Sequence, residues 1–216
     1  MVMEYLAYLS ELSPRIKAAG IEHLAMTAVA VAAAIAVAVP LGIYLTRRRE
    51  LAAAVFGVVN SIQTIPSLAL LGFMIPLFGL GFLPAVVALF CYALLPILRN
   101  TVTGIESVDK GIKEAALGMG MSEIQILFKV ELPLAMSAIM AGIRTSTIII
   151  VGWATLAAYI GGGGLGRLIM AGMSMGREQL ILAGAIPAAV IALSLDALLG
   201  WLEGRLAIPG QKQGGV

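Results

Sequence analysis

Residues 51–98 read LAAAVFGVVNSIQTIPSLALLGFMIPLFGLGFLPAVVALFCYALLPIL, a run of 48 positions without an Asp, Glu, Lys, Arg or His. A helix on the surface of a soluble protein would need a polar face along such a length, so the run belongs in a lipid bilayer. One helical crossing of the hydrocarbon core takes about 20 residues, which makes the run too long for a single crossing. The turn-forming sequence at 79–84 divides it and predicts two membrane helices, at about 51–78 and 82–98.

Three further apolar runs lie on either side of this one. Residues 24–46 carry no charge and end at three consecutive arginines. Residues 132–160 carry one charge, Arg144, and residues 179–202 also carry one, Asp196. The composition agrees, because 60% of the residues are hydrophobic and 12% are charged, against roughly 45–50% and about 25% in soluble domains. We therefore predict an all-α membrane protein with five transmembrane helices.

Basic residues are divided unequally between the two sides that five crossings create. Because Lys and Arg are enriched in cytoplasmic loops, we expect the side with more of them to be cytoplasmic. This places the N-terminus outside and the C-terminus inside a multi-pass protein of the inner (plasma) membrane, with the highly charged residues 99–131 in the cytoplasm. Nine basic residues lie inside in this arrangement, namely Arg47, Arg48, Arg49, Arg99, Lys110, Lys113, Lys129, Arg205 and Lys212, and four lie outside, namely Arg15, Lys17, Arg167 and Arg177.

The predicted transmembrane domain covers residues 23–208, between an N-terminal segment at 1–22 and a short tail at 209–216. The N-terminal segment contains glutamates but no basic start followed by an apolar core, so we do not expect a cleaved signal peptide. Its apolar residues recur at helical spacing, which predicts an amphipathic helix lying on the membrane surface. The residues of that pattern are Leu6, Leu9, Leu12 and Ile16.

Metal, cofactor and nucleic-acid chemistry have little support in the sequence. Cys91 and His23 are the only cysteine and the only histidine, so no His/Cys set for a metal exists. The 14 basic and 12 acidic residues nearly balance, which gives no strong field for nucleic acid. No lysine is followed by Ser or Thr, so the chain lacks the phosphate-binding loop of an ATPase. We expect neither an enzyme nor a bound metal or cofactor.

Two glycine patterns resemble catalytic or nucleotide motifs without their required context. Residues 172–176 fit G-x-S-x-G around Ser174, yet no histidine follows to complete a hydrolase triad. Residues 161–166 fit G-x-G-x-x-G, but no strand precedes them and they join two predicted spans. We interpret 161–166 as a flexible turn, since consecutive glycines reach positive φ freely, with contact to an external partner as the alternative.

The polar segment contains a pattern of two short helices. Lys110 to Leu117 is helix-forming, and the glycines that follow end that helix. Ser122, with Gln125 three residues later, predicts a capping box that starts a second helix, which should stop before Pro133. Two short helices joined at a glycine turn would form a cytoplasmic knob whose small Ala and Gly residues let another protein approach closely. A solvated connector is the alternative that the residues alone leave open.

The same segment carries a family signature. E-A-A-x-x-x-G-x9-I-x-L-P is typical of the membrane subunits of binding-protein-dependent ABC importers, and Val130 in place of isoleucine is the one departure. The chain resembles this family, which implies that residues 99–133 are a cytoplasmic coupling segment with the coupling helix that docks into the ATPase. The matching residues are Glu114, Ala115, Ala116, Gly120, Leu132 and Pro133.

Other stretches resemble the osmoprotectant branch of the family, whose permeases import glycine betaine, carnitine, choline or proline betaine. They are His23-Leu24 before the first span, residues 60–71 (NSIQTIPSLALL) and residues 154–160 (ATLAAYI). The resemblance covers about residues 20–208. It implies a type I importer permease fold, cytoplasmic ATPase subunits, a second permease subunit and a separate external solute-binding protein. The alternatives are a permease for another small solute such as an amino acid, a secondary transporter and a membrane anchor.

Arg144 and Asp196 are the two ionisable residues predicted inside spans. At 1.5 Å per residue they lie about 15 Å and about 9 Å from the cytoplasmic ends of their helices, so their side chains can meet. Because charges inside a membrane are costly when single and tend to pair, we predict a structural ion pair. Arg144 reaching the cytoplasmic interface, with Asp196 facing water, is the alternative.

Overall fold

The structure is a computed structural model that describes the backbone of residues 2–206 and the side chains of residues 12–206. The predicted tail at 209–216 and the side chains of Leu6 and Leu9 lie outside that range. Every regular element in the described part is helical. The helices are α1 (Val2–Arg47), α2 (Arg49–Thr64), α3 (Ser67–Phe78), α4 (Phe82–Glu106), α5 (Lys110–Gly118), α6 (Glu123–Ile126), a π turn (Leu127–Glu131), α7 (Leu132–Ala154), a 3-10 turn (Leu156–Ile160), α8 (Gly166–Met175) and α9 (Glu178–Leu206).

Four stretches of helix are long and apolar enough to cross a membrane. They are Leu12–Arg47, Phe82–Glu106, Glu123–Ala154 and Glu178–Leu206, and α2 with α3 forms a fifth span if this pair, bent by 101°, is counted as one. The prediction of an all-α membrane protein is therefore confirmed. The first span and the predicted surface helix form one continuous helix, α1, in which Leu12 packs against Leu180 and Ala183 of α9, with Ile16 beside it.

The helix predicted at 51–78 is broken, which corrects the sequence interpretation. Ile65 is extended, with φ −69° and ψ 127°, as expected for a residue before proline. Pro66 then begins α3 in a new direction, and α4 supplies partners for the polar groups at the break. Tyr92 Oη donates to Ile65 O at 2.5 Å, and Gln63 Nε2 donates to Tyr92 O at 2.7 Å.

The end of the third span and one additional helix also differ from the prediction. The third span was expected to end at 98, but α4 continues to Glu106, because Arg99 lies on an exposed helical face and does not end the helix. Residues 166–175 form α8, a short helix not predicted from the sequence. The glycine stretch before it is a turn as expected, with positive φ at Gly161, Gly163 and Gly164. Its residues 162–166 are buried, so the turn is packed into the fold.

The core forms around α4, which packs between α1 and α7. Small residues let these helices approach closely, as is typical of membrane bundles. Gly142 of α7 shows the constraint most directly, because a Cβ atom there would lie 2.6 Å from Asn100 Cβ and 2.9 Å from Pro96 O. Any side chain at Gly142 would push α4 and α7 apart.

Ion pairs and backbone contacts define the two ends of the bundle. Arg49 pairs with Glu106 at 3.5 Å, so the start of α2 lies beside the end of α4. The end of α1 and the start of α5 adjoin them in the chain, and we call this the Arg47 end. At the Glu22 end, Arg167 Nη2 lies 2.6 Å from Glu22 Oε2, and Gly81 N donates to Ile160 O at 2.8 Å. Because α2 begins at the Arg47 end and α3 leads to Gly81 at the Glu22 end, the bent pair connects the two ends as a broken span.

Candidate functional site

The candidate site is the knob, residues 110–131, at the Arg47 end. Its first helix, α5, begins at Asp109, whose side chain accepts a hydrogen bond from Ile112 N at 3.2 Å. It ends at a Schellman motif, in which Met121 N donates to Ala116 O and Gly120 N donates to Leu117 O. Gly120 has φ +82°. The structure thus places Gly120 at a turn that only glycine adopts without strain.

The second helix of the knob begins as predicted. Ser122 and Gln125 form the capping box in both directions, with Ser122 N 2.9 Å from Gln125 Oε1 and Gln125 N 3.3 Å from Ser122 Oγ. The predicted stop before Pro133 is wrong, because α6 continues through a π turn into α7. A proline inside an α-helix clashes with the carbonyl four residues earlier. The wider π turn precedes Pro133 and lets the chain remain helical through this position.

The outer surface of the knob is apolar as well as small. Glu114 and Ala115 are exposed, whereas Ala116 is 2% exposed and faces the inside of the knob. Sequence reasoning placed the small alanines at the surface together and overlooked five large apolar residues that the knob exposes. A periodicity search within the charged segment could have found them. They are Ile112, Leu117, Met119, Ile124 and Phe128, which are 46%, 60%, 76%, 71% and 63% exposed.

The last two residues of the signature lie where the knob joins α7. Leu132 is half-buried and packs against the cluster of Ile105, Ala135 and Ile139, which joins α4 to α7. Pro133 lies in the first turn of α7. The signature therefore contains an exposed part at the tip, a turn at Gly120, and a part packed into the bundle.

Glu131, between these two parts of the signature, is a functional candidate that sequence reasoning missed. Its side chain is fully buried and pairs with Arg47 at the end of α1 and with Lys113 on the inner face of α5. A buried carboxylate with two cationic partners satisfies the requirement that charges inside a protein be paired. The isolated acidic residue inside an otherwise apolar stretch, at the start of a span, was the available signal.

The structure brings Arg144 and Asp196 together. Arg144 Nε lies 2.5 Å from Asp196 Oδ1, and Glu203, which was not predicted, joins them with its Oε2 3.4 Å from Arg144 Nη1. Gly200 leaves room for the guanidinium, since a Cβ there would lie 2.9 Å from Arg144 Nη1. Arg144 and Glu203 also line a cavity of about 540 Å³ between the Arg47 ends of α4, α7 and α9.

A second polar cluster lies at the Glu22 end. Glu22 Oε2 accepts hydrogen bonds from Gly164 N at 3.0 Å and from Arg167 Nη2 at 2.6 Å, so α1 holds the glycine turn in place. His23 is fully buried, and its Nε2 lies 3.0 Å from Val151 O. Within the described residues, no group of three or more His, Cys, Asp and Glu side chains is arranged to hold a metal ion.

Known proteins similar to this chain are permeases. The family model described as "Binding-protein-dependent transport system inner membrane component" matches residues 38–208. The carnitine transport permease protein of Listeria monocytogenes is 52% identical over 197 residues, covering 90% of each chain. The choline transport system permease protein of Bacillus subtilis is 50% identical over 192 residues, covering 89% of this chain and 88% of its own. The osmoprotectant import permease protein of Salmonella typhimurium is 42% identical over 206 residues, covering 93% and 96%.

Solved structures show the same fold. An inward-facing methionine ABC transporter is similar with a TM-score of 0.79 at 25% identity, covering 87% of this chain and 94% of that one. An amino acid ABC transporter has a TM-score of 0.69 at 21% identity, which indicates a shared fold. The prediction of a transport subunit, with no enzymatic activity of its own, is confirmed by this family assignment. The chain belongs to the inner membrane components of binding-protein-dependent transport systems.

Proposed function

We propose that this chain is the membrane-spanning subunit of an ATP-driven importer for a quaternary ammonium compatible solute. The observation that carries this proposal is the knob, a pair of short helices joined at a glycine turn, which exposes large apolar side chains at the Arg47 end. Exposed apolar patches with polar surroundings mark interaction sites. A solvated connector would have no reason to hold Leu117, Met119 and Ile124 at its tip.

The knob fits docking to a cytoplasmic ATPase. Glu114 and Ala115 are exposed beside the apolar tip, so a cleft on the partner can contact a carboxylate, a small side chain and apolar side chains together. Closure of two ATPase subunits on ATP would then move two knobs, which requires a second permease subunit, either a copy of this chain or a paralogue. An external solute-binding protein would deliver the substrate to the Glu22 end.

The substrate class rests on the three relatives above, whose names give choline, carnitine and osmoprotectants as their cargo. Their identities of 42–52% over most of both chains support the same class here. An amino acid is the second candidate, favoured by the methionine transporter of similar fold.

The test is uptake by the complete complex. Membrane vesicles holding this chain with its ATPase and binding protein should accumulate radiolabelled choline, carnitine or glycine betaine only when ATP is supplied. Unlabelled methionine should not compete. Uptake driven by an ion gradient without ATP would indicate a secondary transporter. Competition by methionine would indicate that the substrate is an amino acid.

Docking through the knob can be tested with the same complex. Ala115→Trp should lower both ATPase copurification and uptake, because a large side chain would keep the partner cleft from closing on the exposed tip. Ser107→Trp, at an exposed position outside the knob, is the matched control and should leave copurification unchanged. Normal copurification with Ala115→Trp would support the solvated connector instead.

A further inference from the structure

Among residues 12–206, Glu131 is the one Asp, Glu, Lys or Arg whose side chain is fully buried. Burying a carboxylate is costly unless charged and hydrogen-bonding partners replace the lost water. The fold supplies two cations from different helices. A single apolar residue would fill the same space without this requirement, so the charge calls for an explanation beyond packing.

The contacts of Glu131 join four helices. Arg47, at the end of α1, contacts both carboxylate oxygens, with Nη1 3.3 Å from Oε1 and Nη2 in closer contact with Oε2. Lys113 Nζ, from α5, lies 3.0 Å from Oε1 and also donates to Ile105 O at 3.1 Å, near the end of α4. Glu131 itself ends the π turn and leads directly into α7.

The two faces of α5 therefore make different contacts. Glu114 and Ala115 face outward, where the proposed ATPase docks, and Lys113 faces inward to Glu131. The ion pair of Lys113 links α5 to Glu131 at the start of α7, and Arg47 links Glu131 to the end of α1. Closely packed interiors transmit strain, and charge-assisted hydrogen bonds are short and strong.

We propose that Glu131 is a positioning residue that couples movement of the knob to α1 and α7 through Lys113 and Arg47. This inference rests on the proposed function, because it assigns to Glu131 the step between ATPase docking and movement of the spans. Without the Glu131 carboxylate the knob still docks to the ATPase, but movement of the knob no longer moves α1 and α7.

The experiment compares reconstituted complexes that contain the ATPase and the binding protein, with radiolabelled choline, carnitine and glycine betaine as probes. In Glu131→Gln and Lys113→Met, solute transported per ATP hydrolysed should fall about tenfold, within the usual range of coupling between two sites. Because Lys113 and Glu131 face away from the exposed surface of the knob, the ATPase should still copurify with both variants. Lys113→Arg, which keeps the charge, should restore transport. Glu106→Gln removes a half-exposed carboxylate at the same end and is the matched control.

A purely structural role predicts a different result. It would reduce the amount of assembled complex, while the surviving complexes would transport a normal amount of solute per ATP, and that outcome would overturn the proposal. If Glu131→Gln does not assemble, the Lys113 variants decide, since a normal ratio in Lys113→Met also overturns it. If the wild-type complex itself shows no ATP-dependent uptake of any probe, the proposed function fails first, and this inference fails with it.

Discussion

At the scale of single residues, the backbone conformation at Gly120 favours glycine over every other residue type. At φ +82° a β-branched side chain is strained by about 1–2 kcal/mol or more. Gly120→Val should therefore displace the tip of the knob and reduce uptake strongly while the permease still inserts. Gly118 is an equally exposed glycine without positive φ, so Gly118→Val is the control and should have a smaller effect. Equal uptake by the two variants would contradict the role of the turn.

The contact between Arg144 and Asp196 predicts coupled stability. Asp196→Asn and Arg144→Gln should each lower the melting temperature of the purified complex, because each leaves a charge without its main partner. The double variant should lose less than the sum of the single losses. Glu203→Gln, which removes only the longer contact at 3.4 Å, should cost less than Asp196→Asn. Strictly additive losses would argue for independent roles.

At the scale of elements, a hydroxyl from α4 contributes to the break between α2 and α3. Tyr92, which is 2% exposed, donates to the carbonyl of Ile65 at the bend. Tyr92→Phe would leave that carbonyl without its partner and should destabilise the chain by about 1–3 kcal/mol. Thermal unfolding of the detergent-purified chain measures this loss. Tyr159 is 52% exposed, so Tyr159→Phe should change stability little and is the control. An equal loss in both variants would contradict a stabilising role of the Tyr92 hydroxyl at the bend.

Elements whose signal is local could be predicted from the sequence. The long apolar runs predicted the membrane spans. The Ser122–Gln125 capping box was also predicted, because its two residues lie three positions apart. Features that depend on distant residues could not be. The burial of Glu131 depends on Lys113 and on Arg47, which is 84 residues away. The burial of Ala116 depends on how α5 and α6 pack. Pro66 was visible, but the 101° bend also involves bonds to α4, among them the one from Tyr92 to Ile65 O, and no local pattern shows these.

At the scale of the whole molecule, the two ends of the bundle differ in charge. The Arg47 end carries the three consecutive arginines and the lysines of the knob, while the Glu22 end carries fewer basic residues, among them Arg167 and Arg177. Because basic residues are retained on the cytoplasmic side during insertion, the Arg47 end should be cytoplasmic and residue 13 should be outside. The proposed docking of an ATPase at the knob requires the same orientation.

Three isosteric cysteine variants in a Cys91→Ser background test this orientation and the number of spans together. Ser174→Cys and Ser13→Cys, at the Glu22 end, should react with a membrane-impermeant maleimide in intact cells. Ser107→Cys, at the exposed end of α4, should react only after permeabilisation. The reverse pattern would invert the orientation. If the α2–α3 pair spans the bilayer, the chain crosses three times between residues 13 and 107, and the two cysteines lie on opposite sides. Labelling of Ser13→Cys from the same side as Ser107→Cys would mean that α2 and α3 return to one surface as a re-entrant pair.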